Sequence, residues 1–431
     1  MYDSSMGSYL IEGRRPLEGQ VRISGNKNAA LACIFATLLT DDTIILRNIP
    51  LIEDVQVCVR LLQGLGRNVA DLGGGVLRFD GGDLRGEVSG ELVGLARGTI
   101  LLAGGCAARH VDLVLPPPGG DVIGQRRLDS HFQALENLGV ICSIDSKGWL
   151  DFRVSALRGC SVFLDEASVT ATENVLLAGA LADGETVVYN AACEPHVQDL
   201  CRMLSLMGCP VSGIGSNLLR LEGKKSLHGC DFTVGSDYME AGSFIGLAAA
   251  AGGEVELLDV EPEHLRVLSG GFSKLGVSWV RTGDRSVLVP KSQHREIRRS
   301  MDNRTIKIDD APWPGFPTDV LSIITVAATQ MKGSVLIHEK MFESRLYFVD
   351  YLIRMGADII QCDPHRVIVT GPSELVASSL ISPDVRAGMA MVAAALCARG
   401  ESVINNVYQI ERGYENLLEK LSGLGAGIRR I

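Results

Sequence analysis

The sequence predicts a two-domain α/β protein built from six copies of one unit, three per domain, and three observations carry that prediction. A pattern of apolar helix, turn, β-rich run and amphipathic helix ending in Leu-Gly or Met-Gly recurs at a period of about 70 residues. The strand that closes a hairpin after five of those endings reads alike each time. The sixth copy stops short of that hairpin, and the N-terminal YLIEG, 9–13, reads as the missing strand.

The closing glycines are Gly66, Gly139, Gly208, Gly276, Gly356 and Gly425. A residue with positive φ ends a helix there as a C′ cap, which glycine adopts without steric cost. The hairpin strands are LRFDG at 77–81, WLDFR at 149–153, LRLEG at 219–223, SVLVP at 286–290 and VIVTG at 367–371. The last strand, GIRRI, would leave an open apolar edge at the C-terminus, a liability that folds usually cover. The chain therefore begins inside its last-built domain. Domain I is expected over 26–235, and domain II over 1–25 plus 236–431, with crossings near Gly25 and Gly235. The first helix of a unit, as in AALACIFATLL, FIGLAAAAGG and GMAMVAAAL, is apolar nearly all round and belongs at a domain centre. The second is amphipathic and belongs outside, beside the sheets. Two such bodies joined by a double crossing predict a hinged clamp with a ligand cleft.

Composition narrows the function. The 431 residues are 46% apolar and 21% charged, with net charge −10. A nucleic-acid or anionic-membrane surface would lack its cations, so neither partner is expected. No apolar run reaches the length of a membrane span and the first residues show no leader pattern, so a cytoplasmic protein is expected. Eleven cysteines without CxxC pairs or histidines at ligand spacing read as reduced thiols, with no metal site. Nothing in the sequence requires an oligomer.

The stretch LPPPGGDVIGQRRLDSHF, 115–132, sets one acid, Asp121, beside Arg126 and Arg127 in a Pro- and Gly-rich segment. Such a segment reads as an exposed loop, mobile over about 115–127, able to carry a catalytic acid over a cleft.

Nine segments in order, ISGNKNAAL at 23–31, PGGDVIGQRRLDSH at 118–131, SVTATEN at 168–174, NAACEP at 190–195, SDYMEAGSF at 236–244, PGFPTDV at 314–320, FESRLYFV at 342–349, DVRAGMAMV at 384–392 and IERGYE at 410–415, resemble the enolpyruvyl transferase family over essentially the whole chain. The resemblance implies a two-domain inside-out α/β barrel and no cofactor. It also implies transfer of the enolpyruvyl group of phosphoenolpyruvate to a sugar hydroxyl, with UDP-N-acetylglucosamine as acceptor. That chemistry needs cations to clamp a small trianion, a group to protonate carbon and a group to deprotonate the hydroxyl. By the resemblance, Lys27 binds phosphoenolpyruvate, Arg126 reaches the substrate from the loop, Arg412 matches an arginine of the opposite domain, and Arg345 and Arg386 face the anion; the proton donor is Asp121 or Lys27. Asp319 takes the proton of the 3′-hydroxyl, although its place before an apolar helix also suits an N-cap, a role Thr318 could fill. Asn28, Asp129 and Ser168 match positions that bind the nucleotide sugar, and Arg97 lies near an arginine lining the cleft. Asp121 stands where many members carry a cysteine, and some carry Asp. Its carboxyl must be held neutral under a closed lid to donate a proton. Fosfomycin alkylates that cysteine in the family, so the carboxylate implies insensitivity. Glu166 and Arg127 replace a lysine and a proline of relatives.

Two other readings are open. The branch acting on shikimate 3-phosphate normally shows Lys-Ser after the first glycine, where this chain has Lys27-Asn28. A non-catalytic scaffold of six units would need no such set of Lys27, Arg126, Asp319 and Arg412.

Overall fold

The structure is a computed structural model that describes residues 7–85, 88–121 and 123–431. The first six residues of the expected domain II and Val122 of the loop therefore lie outside the described residues. The chain forms two compact units. Unit 1 comprises Met1–Ser24, Asp121–Gln125 and Ser236–Ile431, and unit 2 comprises Gly25–Gly120 and Arg126–Gly235.

Each unit has three central helices. In unit 2 they are α1 (Lys27–Ala36), α2 (Leu102–Ala108) and α3 (Val169–Gly179), and in unit 1 α4 (Tyr238–Ala251), α5 (Thr318–Thr329) and α6 (Val385–Cys397). Every residue of α4 except Ala251, and every residue of α6 except Cys397, is buried. Gly104 shows how closely they pack: a Cβ there would lie 2.6 Å from the Asn174 carbonyl oxygen of α3. Three sheets flank the helices in each unit. Five are four-stranded and share one plan, with a parallel pair at one edge followed by antiparallel strands; the sixth, around Leu150–Val154, has three described strands.

All six predicted closing glycines have positive φ, between +75° and +103°. The alike strands are Val76–Asp80, Leu150–Val154, Leu218–Glu222, Ser286–Val289 and Arg366–Gly371, each the second arm of a hairpin. The C-terminal strand Gly427–Arg430 pairs antiparallel with the N-terminal strand Ser8–Glu12, which pairs on its other edge with Glu401–Asn405. Tyr9 and Ile11 of this inserted strand are fully buried. The Tyr9 hydroxyl donates to Glu411 Oε1 at 2.7 Å.

Four central helices start on a side-chain cap that accepts backbone N–H groups: Asn26, Ser168, Asp237 and Asp384. Helix α5 differs. It follows Pro317 with no side-chain cap, so Asp319 lies one residue inside the helix and Thr318 points elsewhere. The capping role expected for either residue is thereby corrected: proline fixes the entry, and both side chains are spent on other partners. None of the eleven cysteines is joined in a disulfide. Among the described residues no helix is long and apolar enough to cross a membrane.

Candidate active site

In unit 1 the first turn of α5 puts Asp319 between two nearly buried guanidiniums. Arg345 Nη2 donates to Asp319 Oδ1 at 2.5 Å, and Arg386 Nε donates to Oδ2 at 2.9 Å. Arg386 is placed by the cap of α6: Asp384 takes the backbone N–H groups of Arg386 and Ala387, holding the first turn rigid. The guanidinium of Arg386 also lies over the Tyr414 ring, 5.2 Å from its centroid. Arg345 reaches toward Asp384 Oδ1 at 4.0 Å and donates through Nε to the Thr318 hydroxyl at 3.3 Å. Burial pulls Arg345 toward the neutral form, but Asp319, Asp384, Glu339 and Asp121 together hold it above its ordinary value, so it stays a cation. Arg412 Nη1 donates to Gln409 at 3.0 Å and stands 3.8 Å from Asp121 Oδ1.

The tip of the Pro- and Gly-rich loop is tied to the same unit. Ser344 N–H donates to the Ile123 carbonyl at 3.0 Å, and Gln125 N–H donates to Glu343 Oε2 at 3.3 Å. Gly124, at φ +139°, comes so close to Glu343 that a Cβ would sit 2.1 Å from its Oε2. Unit 1 therefore brings together Asp121, Asp319, Arg345, Arg386 and Arg412, five of the eleven residues expected from the sequence.

The other six lie in unit 2. Lys27 opens α1, with Asn28 beside it, and its ammonium pairs with buried Asp54 at 2.6 Å. Arg97 donates from Nη2 to the carbonyls of Arg126 at 2.5 Å and Arg127 at 3.2 Å, gripping the returning limb of the loop. Burial, then the Arg126 cation, pulls Arg97 down to about 10, and Glu166 opposes this. Ser168 caps α3, its hydroxyl accepting from Ala171 N–H at 3.4 Å, and its own N–H donates to the Glu166 carbonyl at 2.7 Å. Arg97, Arg126, Glu166 and Ser168 thus share one neighbourhood, and Lys27 pairs with Asp54 rather than with any of them. Asp129 is exposed at the start of the helix Asp129–Asn137. Two residues on, His131 is buried between Thr170 and Asn174, and burial with the Arg97 cation pulls it down to about 3, leaving it neutral.

Sequence reasoning missed Asp54, Glu339, Asp310, Glu343 and Tyr414. Glu343 and Tyr414 sat inside quoted motifs, and Asp384 was recognisable as a helix cap. Asp54 and Asp310 lie far along the chain from the side chains they serve, and no local pattern announces them.

The chain matches the model of one protein family, EPSP synthase (3-phosphoshikimate 1-carboxyvinyltransferase), over residues 11–421. A protein of Treponema denticola named UDP-N-acetylglucosamine 1-carboxyvinyltransferase is 52% identical over 98% of this chain and 99% of its own. One of the same name from Treponema pallidum is 54% identical over the same shares. Among solved structures, the enolpyruvyl transferase NikO from Streptomyces tendae superposes with a TM-score of 0.87 at 22% identity, covering 99% of each chain. An EPSP synthase from Acinetobacter baumannii gives 0.75 at 20% identity, covering 99% of this chain and 100% of its own. These two establish the likeness of fold.

Proposed function

The chain belongs to the EPSP synthase family, and from that premise we propose that it transfers the enolpyruvyl group of phosphoenolpyruvate to the 3′-hydroxyl of UDP-N-acetylglucosamine, the first committed step of peptidoglycan synthesis. The observation that carries the reaction type is Asp319 held between two buried guanidiniums while Asp121 faces a third, Arg412. The acceptor follows from the names of the relatives. The absence of any disulfide among the eleven cysteines is in keeping with a cytoplasmic site of action.

In this reading Asp121 gives a proton to C3 of phosphoenolpyruvate, and C2 takes up cation character. Asp319 accepts the proton of the sugar 3′-hydroxyl as its oxygen bonds to C2. The Asp121 carboxylate then takes a proton back from C3 as the C2–O bond to phosphate breaks, its electron pair leaving with the phosphate, so that the enol ether forms and Asp319 gives up its proton to solvent. Lys27, Arg126, Arg345, Arg386 and Arg412 neutralise the phosphate and carboxylate, with Arg suited to their planar oxygens. Asn28, Arg97, Asp129 and Ser168 hold the nucleotide sugar. Fosfomycin insensitivity belongs to the same proposal, because a carboxylate at 121 is a far poorer nucleophile toward an epoxide carbon than a thiolate.

Release of inorganic phosphate from phosphoenolpyruvate, with UDP-N-acetylglucosamine and shikimate 3-phosphate offered separately, tests the assignment. Release with the sugar nucleotide alone is expected. Release with shikimate 3-phosphate alone would move the chain to the other branch, and release with neither would refute the reading.

A further inference from the structure

Behind Asp319 lies a second pair of acids that the proposed reaction leaves unused. The parallel strands Ile306–Asp309 and Gly333–His338 end in register, Asp309 beside His338, so Asp310 and Glu339 emerge together. Both are 0% exposed, and the Asp310 carboxyl lies close enough to Glu339 to push its proton affinity up. Three of the four oxygens have donors. Glu339 Oε1 accepts from the N–H groups of Met341 and Phe342 at 3.0 Å each, and Oε2 accepts from the Thr318 hydroxyl at 2.8 Å. Asp310 Oδ1 accepts from Lys340 N–H at 2.6 Å. Among the described residues no N–H or O–H reaches Asp310 Oδ2. Two buried carboxylates in contact cannot both be ionised, and a buried oxygen without a donor is where the missing hydrogen belongs.

We propose that Asp310 and Glu339 share one buried proton and act as a positioning pair. Glu339 holds the Thr318 hydroxyl, whose oxygen receives Arg345 Nε, and Arg345 fixes the oxygen of Asp319 that it faces. The positioning role rests on the assignment of Asp319 as proton acceptor. Neither acid touches substrate.

The charged and titratable groups around the pair are Lys307, Asp309 and His338 on the two strands, Lys340 and Arg345 after Glu339, His365 on the facing hairpin and Asp319 on α5. Lys340 is turned to Asp309 at 2.9 Å, and His365 Nδ1 meets the Glu339 carbonyl at 2.8 Å. The Arg345 cation, and the Thr318 hydroxyl after it, pull against the proton. Burial first, and the Asp310 carboxyl next, push Glu339 up to about 8. The folded value lies above the ordinary carboxyl value, so the folded state keeps a proton that the unfolded chain has released. The stability this gives is complete below the unfolded value and is lost as pH rises through about 8.

Asp310→Asn supplies a permanent N–H where the shared hydrogen is placed. The thermal midpoint and kcat of wild type and variant are compared from about pH 5 to about pH 9, spanning the window set by that linkage. The wild-type midpoint minus the variant midpoint is expected to shrink as pH rises. Wild-type kcat is expected to fall above about pH 8, and the variant, within about threefold of wild type at neutral pH, is expected to lack that limb. A constant midpoint difference overturns the shared proton, and coincident kcat limbs overturn the positioning role. Should Asp310→Asn fail to fold, Glu339→Gln, which keeps an acceptor for the two amides, is put through the same comparison. The thermal measurement needs no turnover, so it decides on the proton even where the phosphate assay refutes the proposed reaction.

Discussion

Asp319→Asn keeps the size of the side chain while removing the charge that two guanidiniums share. One amide oxygen can still accept from one arginine, but the amide N–H groups then face the other. Removing one partner of a buried ion pair costs about 3–5 kcal/mol. Two features reduce that here. The Asp319 side chain is 23% exposed, against 3% for Arg345 and 5% for Arg386. Arg345 also keeps Thr318 and the more distant Asp384, while Arg386 keeps the Tyr414 ring. A loss of about 2–3 kcal/mol remains, which lowers the melting transition of the unit that carries it by about 4–12 °C for a unit of this size. Removing a general base costs about 10²–10⁴ in rate, so kcat for phosphate release falls by that factor. Calorimetry and the phosphate assay on the same preparation read both effects. A transition within a degree of wild type would show that the pairs contribute little to stability, and a kcat within tenfold would remove Asp319 from the role of base; the reasoning fails if either occurs.

Two further outcomes follow from other parts of the molecule. Incubation with fosfomycin and UDP-N-acetylglucosamine is expected to leave the intact mass unchanged, and a covalent adduct would refute the proposed insensitivity. Ile11→Ala, in the fully buried inserted strand, is expected to cost about 2–5 kcal/mol in denaturant unfolding; a loss below about 1 kcal/mol, no more than an Ile→Val change typically costs, would mean that the strand is not part of the cooperative core.

Much of the architecture was legible because its signals are local and repeated. A helix that must stop and turn back needs one residue with positive φ, and six glycines at matched places announced six such turns. The apolar central helices could likewise be read within a few positions, whereas their caps, Asn26, Ser168, Asp237 and Asp384, were not singled out as such although they obey the same local rule. The N-terminal strand was found by what the C-terminus lacked. The site was legible only where single residues matched motifs. Its wiring was not, because Lys27 with Asp54, Thr318 with Glu339, and Arg386 with Asp319 are partners brought together by packing of separate elements. The capping role that the sequence also allowed Asp319 and Thr318 is not used: the local rule was sound, but Pro317 supplies the helix entry and tertiary partners claim both side chains.

The ion pairs of unit 1 also rank by strength, and the ranking bears on Asp121. Asp319 meets its two arginines at 2.5 and 2.9 Å, whereas Arg412 and Asp121 stand 3.8 Å apart, beyond a normal hydrogen bond, with the Asp121 side chain 19% exposed. Asp384 stands farther from Arg345, at 4.0 Å, but is anchored by the N–H groups of Arg386 and Ala387, so an anion entering this unit displaces Asp121 first. Once Arg412 is engaged by the ligand, Asp121 is left beside a new negative charge, the condition that favours its neutral, proton-donating form. Asp121→Asn removes both the competitor and the donor. The KM for phosphoenolpyruvate should therefore fall while kcat drops by about 10² or more, because ground-state binding and proton donation act in opposite directions. A KM that rises together with the fall in kcat would show instead that Asp121 itself binds substrate, and the displacement argument would be wrong.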